Sequence, residues 1–199
     1  MKYFVIGLHA SGKQEVLDRL EKLDVRCGKL FSNIDKPAVD IYNSFNYELY
    51  TTKDVNEVFE NNAYIFIQEL QLSQEVNLYK YYEGLSKYTF DNNDVFAISP
   101  DQLLNIPPNA IQEEVCFIWM DDTKNYRRSK YHSEKRSYNF YERESVEKKD
   151  IESFVKYLYN FNNSNVIYFT DEEPDRVATI VYTLIKHPDL YNLYVKNFS

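Results

Sequence analysis

The sequence predicts an α/β fold: a three-layer domain on a predominantly parallel, doubly wound sheet. Three observations carry that prediction. The apolar run Tyr3-Phe4-Val5-Ile6 leads into a glycine-rich turn, Val95-Phe96-Ala97-Ile98 and Val115 to Met120 are almost continuously apolar, and strand, loop and helix patterns recur along the chain. A strand covered on both faces meets no water, so it loses the polar alternation of a half-exposed strand. Helices must then cover both faces of the sheet. The chain of 199 residues suffices for one domain, 1–199, with a substantial core.

The first element is the strand at residues 3–6, and the turn after it, Gly7-Leu8-His9-Ala10-Ser11-Gly12-Lys13-Gln14, has the complete G-x-x-x-x-G-K spacing of a phosphate-binding loop (P-loop). Backbone N–H groups in such a turn, together with one lysine, neutralise adjacent phosphates. The competing reading is a pair of ordinary turn glycines; against it, only four glycines occur in the chain and two of them hold the spacing. Gln14 stands where the usual pattern has a Ser or Thr hydroxyl directed at Mg²⁺. Phosphate binding is therefore better supported than catalysis. Val16, Leu17, Leu20 and Leu23 give residues 15–23 an amphipathic helical pattern, whose N-terminus adds oriented amides to the loop.

Beyond this helix, residues 25–30 predict a short strand, and Phe31 to Pro37 a loop. Residues 47–50 and 64–69 read as strands, and Lys53 to Phe59 as a short helix. Together these short elements predict a compact subregion beside the nucleotide fold. Pro100 to Leu104 opens a helix between the two continuous strands, and Pro107-Pro108-Asn109 breaks the chain. A further core strand at residues 166–169 precedes a helix at 174–186 with apolar positions 177, 180, 181, 184 and 185. Tyr157 to Phe161 reads as the apolar face and end of a helix.

The formal net charge of -8 argues against broad nucleic-acid binding but leaves room for a local cationic pocket. Such a pocket has a source in the basic segment Lys124 to Arg136, where Arg127 and Arg128 present guanidinium forks suited to phosphoryl oxygens. A solvated surface helix or loop is the plain alternative for this segment. Cys27 and Cys116 are too few and too distant to form a disulfide framework or metal cluster, although the spacing leaves one bridge open. His9 sits inside the turn, to support the loop or influence phosphate binding, and His132 and His187 have no metal-ligand spacing, so no metal site is expected. There is no apolar run long enough for a membrane span and no leader pattern, which places the expected chain in a reducing cytoplasm. Nineteen tyrosines supply amphipathic surface either for a pocket or for association with other chains.

The loop and the order of segments over most of residues 1–187 resemble the guanylate kinase family of P-loop nucleoside monophosphate kinases. Tyr81-Tyr82-Glu83-Gly84-Leu85-Ser86 is similar to that family's tyrosine-tyrosine-glycine-x-serine segment with one residue inserted. Lys36 before Pro37 stands at its arginine-proline element, and Thr170-Asp171 at its asparagine-aspartate turn near the donor base. The resemblance implies nucleotide contacts from Gly7, Gly12, Lys13, Gln14, Ser32, Lys36, Tyr47, Glu69, Tyr82, Ser86, Thr170 and Asp171, and catalytic roles for Lys13, Arg127 and Arg128. It also implies an acceptor-binding insertion near 34–93 and a lid near 122–146.

The implied reaction is transfer of a phosphoryl group from ATP, with Mg²⁺, to a nucleoside or deoxynucleoside monophosphate, with purine selectivity. Two departures from the pattern bear on catalysis: Gln14 replaces the hydroxyl, and Ile98-Ser99-Pro100 occupies the place of a strand ending in aspartate, with Asp94 and Asp101 the nearby substitutes. The alternative is a noncatalytic nucleotide-binding or assembly protein that self-associates or joins a larger complex, a virion included.

Overall fold

The structure is a computed structural model that describes residues 1–8, 11–32, 47–49, 64–74, 77–107, 110, 115–121, 152–153, 165–170 and 173–194. In chain order the elements are β1 (Lys2–Gly7), α1 (Lys13–Glu21), β2 (Cys27–Gly28), β3 (Leu30–Ser32), β4 (Tyr47–Leu49), β5 (Tyr64–Gln74), β6 (Asn77–Ser86), α2 (Lys87–Asn92), β7 (Val95–Ile98), α3 (Pro100–Leu104), β8 (Val115–Asp121), β9 (Asn165–Thr170), α4 (Pro174–Lys186), a 3-10 turn (Pro188–Leu190) and α5 (Tyr191–Tyr194). Five of the strands form one sheet in the order β2-β7-β1-β8-β9, and every pairing in it is parallel.

Alternation within the strands sets the layers. Tyr3 and Val5 of β1, with Cys116, Ile118 and Met120 of β8, pack against Val16, Leu17 and Leu20 of α1 and Val177, Val181 and Leu184 of α4. Phe4, Ile6, Phe117 and Trp119 face the other way, into a core with Phe90, Phe96, Leu103 and Ile106. Both cores exclude water from the sheet, which is why the strands read as continuous apolar runs. The second core is strongly aromatic: Phe4 stacks on Phe96 with ring centroids 5.2 Å apart, and Phe90 on Phe96 at 5.6 Å. Lys2, buried at the start of β1, donates to the carbonyls of Asp91 and Asn93 at 3.1 and 2.8 Å, placing a cation at the C-terminus of α2.

A second sheet, ordered β4-β3-β6-β5, lies against this aromatic core. Its long β5–β6 hairpin is antiparallel, as is the β3–β6 pairing, whereas β3 and β4 run parallel. Leu30, Ile65, Phe66 and Leu85 bury their side chains in the cluster that holds Phe4 and Phe96, so the two sheets share one hydrophobic layer.

The sequence readings of β1, β7, α3, β8, β9 and α4 agree with these elements within a residue or two at each end. The strand expected at 25–30 divides into β2 and β3, and Phe31-Ser32, read as loop, belongs to β3, because Phe31 is buried and Ser32 pairs with Glu83 and Leu49. The strand read at 64–69 extends to Gln74. The helices read at 53–59 and 157–161 lie outside the described residues. Cys27 and Cys116 are not bridged by a disulfide. None of the described helices is long and apolar enough to cross a membrane.

Candidate functional site

The Gly7–Lys13 turn leaves the carboxyl end of β1, the central strand, and runs directly into α1. The neighbours of β1 are β7 on one side and β8 on the other, so chain order reverses at this point, where open parallel sheets hold their ligands. Gly12 caps α1 with φ 93°, a left-handed conformation that a side chain strains. Gly7 has no room for one: a Cβ there would lie 2.4 Å from Ser11 Oγ and 3.2 Å from the Met120 carbonyl oxygen. These constraints explain both glycines of the motif.

Inside the turn, the Leu8 carbonyl accepts from Ser11 N at 3.2 Å and from Lys13 Nζ at 2.7 Å. The ammonium is thus held at the mouth of α1, beside a helix end that already favours negative charge. Gln14 Nε2 donates to Asp18 Oδ1 at 2.9 Å, an i,i+4 bond along the exposed side of α1. His9 and Ala10 lie outside the described residues. One left-handed glycine, one glycine with no space for a side chain, a helix N-terminus and a lysine fit a phosphate chain.

For a metal, the donor set is different. Ser99 follows β7 at the level of Gly7, since Ile98 pairs with Ile6, and it opens α3 with its N–H donating to Gln102 Oε1 at 2.9 Å. It has no negative charge to offer a cation. Asp94 is at the opposite, amino end of β7, where Arg26 grips it bidentately at 2.9 and 2.8 Å, an interaction that raises the arginine pKa above its usual value through that hydrogen bond and the charge of Asp94. Asp101 lies in the first turn of α3 and is exposed. The backbone places another carboxylate on the other side of β1: Met120 of β8 pairs with Gly7, and Asp121 is the next residue. The described residues contain no cluster of three metal-binding side chains.

On the second sheet, Tyr82 OH donates to Glu69 Oε2 at 3.0 Å, so two of the expected acceptor contacts meet across the β5–β6 hairpin. Ser86 Oγ accepts from Thr89 N at 3.0 Å and donates to Thr89 Oγ1 at 2.8 Å, capping α2. Ser32, Tyr47 and Thr170 are placed by their backbones in β3, β4 and at the end of β9. Lys36, Arg127, Arg128, Asp171 and the segment 122–146 lie outside the described residues.

Sequence reasoning missed a polar cluster on the inner face of this sheet. Glu83, 4% exposed, accepts at Oε1 from Gln68 Nε2 and from Gln102 Nε2, the latter at 2.7 Å. Gln68 Oε1 in turn accepts from Asn105 Nδ2. Glu83 shares its side of the hairpin with Leu85, whereas Glu69 and Tyr82 occupy the other side. The hidden signal was the single charged residue inserted into the tyrosine-tyrosine-glycine segment.

The arrangement of sheet, loop and hairpin matches a solved structure over almost its whole length. Guanylate kinase from Anaplasma phagocytophilum superposes with a TM-score of 0.54 at 11% identity, covering 99% of this chain and 87% of that one. The chain has the guanylate kinase fold. No protein-family model matches the sequence, and no curated protein matches it. The guanylate kinase likeness is thus one of backbone architecture, at 11% sequence identity.

Proposed function

We propose that the chain binds ATP at the Gly7–Lys13 loop and transfers its terminal phosphoryl group to a nucleoside or deoxynucleoside monophosphate, purines preferred. The observation that carries this reading is the position of the loop: a glycine-shaped turn at the carboxyl edge of the central parallel strand, ending in Lys13 at the N-terminus of α1. In-line transfer needs positioning and charge neutralisation more than an activated protein nucleophile.

In this reading the backbone amides of the loop and of α1 hold the donor phosphates, and Lys13 exchanges the Leu8 carbonyl for a phosphoryl oxygen, a stronger charge-assisted partner. Gly7, Gly12 and Gln14 shape the same turn. Arg127 and Arg128, in the lid at 122–146, neutralise charge developing on the transferred group. Thr170 and Asp171 border the donor base. The acceptor sits on the 34–93 insertion, with Ser32, Lys36, Tyr47, Tyr82 and Ser86 as its polar contacts and Glu69, oriented by Tyr82, accepting from N–H groups of the base. Mg²⁺ bound to ATP supplies charge neutralisation at the phosphates. Asp121, next after the residue that pairs with Gly7, is the proposed carboxylate for that charge in the stead of Ser99.

The test incubates purified protein with ATP, Mg²⁺ and each common ribo- and deoxyribonucleoside monophosphate. The expected products are ADP and a purine diphosphate; folded protein that yields no diphosphate above the level of a Lys13→Ala control contradicts the transfer step.

A second reading, nucleotide binding without turnover in a structural assembly, draws on two specific observations. Gln14 is tied to Asp18, and Ser99 opens a helix instead of ending a strand with a carboxylate. Stoichiometric ATP binding with stable self-association and no product supports it; turnover by a monomer contradicts it.

A further inference from the structure

We infer that the Ser11 hydroxyl is a donor for the bound phosphate chain, idle while Lys13 is bonded to the Leu8 carbonyl and recruited when phosphate displaces Lys13 from it. The inference rests on the loop being the donor-phosphate site, and it adds a residue outside the glycine-lysine pattern that defines such loops.

Ser11 is 5% exposed, and its Oγ has no hydrogen-bond partner among the described residues. A buried hydroxyl without a partner is uncommon enough to require a reason, since burial strips its water and nothing replaces it. Its surroundings in the loop supply one. The oxygen lies over Gly7, close enough that a Cβ there would fall 2.4 Å away, so the absence of a side chain at position 7 is what makes room for the hydroxyl. The backbone N–H of the same residue and the ammonium of Lys13 both converge on the Leu8 carbonyl. Leu8 O, Ser11 and Lys13 therefore form one closed unit at the mouth of a nine-residue helix.

An anion entering that mouth competes with the Leu8 carbonyl for Lys13 and wins on charge. Serine has three staggered χ1 wells, and leaving the present one breaks no hydrogen bond. Reorienting the hydroxyl toward a phosphoryl oxygen therefore gains a bond at little cost. This has an unusual signature: removing the hydroxyl relieves a buried unpaired group in the unliganded protein and takes a donor away from the liganded one.

The test is calorimetric titration of inorganic tripolyphosphate and, in a parallel arm, of ATP into the full chain, its Ser11→Ala and Ser11→Cys variants, and Lys13→Ala. Thermal melting of each unliganded protein accompanies it. Cysteine keeps the shape with a much poorer donor. The expected result is about tenfold weaker binding for both Ser11 variants, a tenfold loss being the scale of one hydrogen bond, with Ser11→Ala melting no lower than the parent. If Ser11→Ala binds both ligands as the parent does while Lys13→Ala fails, the Ser11 role is wrong and the phosphate site stands. If neither ligand binds the parent, both ideas fall. Melting of Ser11→Ala several degrees below the parent overturns the idle hydroxyl. Loss confined to ATP places the hydroxyl on the nucleoside and overturns its phosphate role.

Discussion

Glu83 and Gln102 share a 2.7 Å hydrogen bond that joins the second sheet to the helix opening just after β7. The same Gln102 amide accepts from Ser99 N at its other end, so one side chain links β6 to the carboxyl edge of the parallel sheet. Removing the carboxylate strands two amide donors, those of Gln68 and Gln102. Glu83→Ala is expected to lower unfolding free energy by about 3 kcal/mol, the scale of hydrogen bonds to a buried charged group. Urea denaturation reads it, and a double-mutant cycle with Gln102→Ala must return a nonzero coupling; additive losses contradict the link.

Much of the main sheet was legible because burial on both faces leaves a signature in composition alone. Val95 to Ile98 and Val115 to Met120 announce themselves as strands, and Pro174 marks the first turn of α4. The β6 strand was not legible: Tyr81 to Ser86 mixes aromatic, charged and glycine residues, and its pairing is decided by the distant β3 and β5. Phe31-Ser32 failed for a related reason, since a short strand followed by Asn33 looks like the start of a loop until its partners are known. In the site, the loop was readable from spacing, but the Glu83 cluster joins β5, β6 and α3, residues that no local pattern associates.

Gly12 adopts φ 93°, so replacing it tests the loop itself. Gly12→Ala is expected to cost roughly 1–2 kcal/mol of stability, the price of a side chain in the left-handed region. ATP binding should weaken by about tenfold or more, because the amides of the turn are displaced along with the backbone. Equal ATP affinity in a folded Gly12→Ala protein rejects the loop as the phosphate site.

Asp121 is one residue past the partner of Gly7, and its replacement tests the proposed metal dependence. Asp121→Asn should remove most of the Mg²⁺ dependence of ATP affinity while leaving affinity in a chelator unchanged or tighter, since a negative charge near the phosphates is gone. Titrations with and without Mg²⁺ measure both. An unaltered Mg²⁺ dependence excludes Asp121 from the site.

Burial, reinforced by the charges of Glu21, Asp94 and Asp18, pushes the Cys27 thiol up to about 12. The folded state therefore holds this proton more tightly than the unfolded chain, whose thiol ionises near 9.0. The stabilisation is fully present below the unfolded value and is lost as pH rises from about 9 towards 12. Melting temperature should fall over that window, and less steeply in Cys27→Ala; Tyr64, raised by burial, contributes to the fall in both proteins. Identical alkaline profiles contradict the shift. At neutral pH the native thiol should resist alkylation by iodoacetamide.

The most direct test of the nucleotide site is an equilibrium titration of ATP into the intact chain and into Lys13→Ala at fixed Mg²⁺. The parent should bind saturably, one to one, and the variant at least about tenfold more weakly, since an ammonium–phosphate contact exceeds the 1.4 kcal/mol that a tenfold change represents. Equal affinity in the two proteins, or no saturable binding by a folded parent, would contradict the nucleotide site.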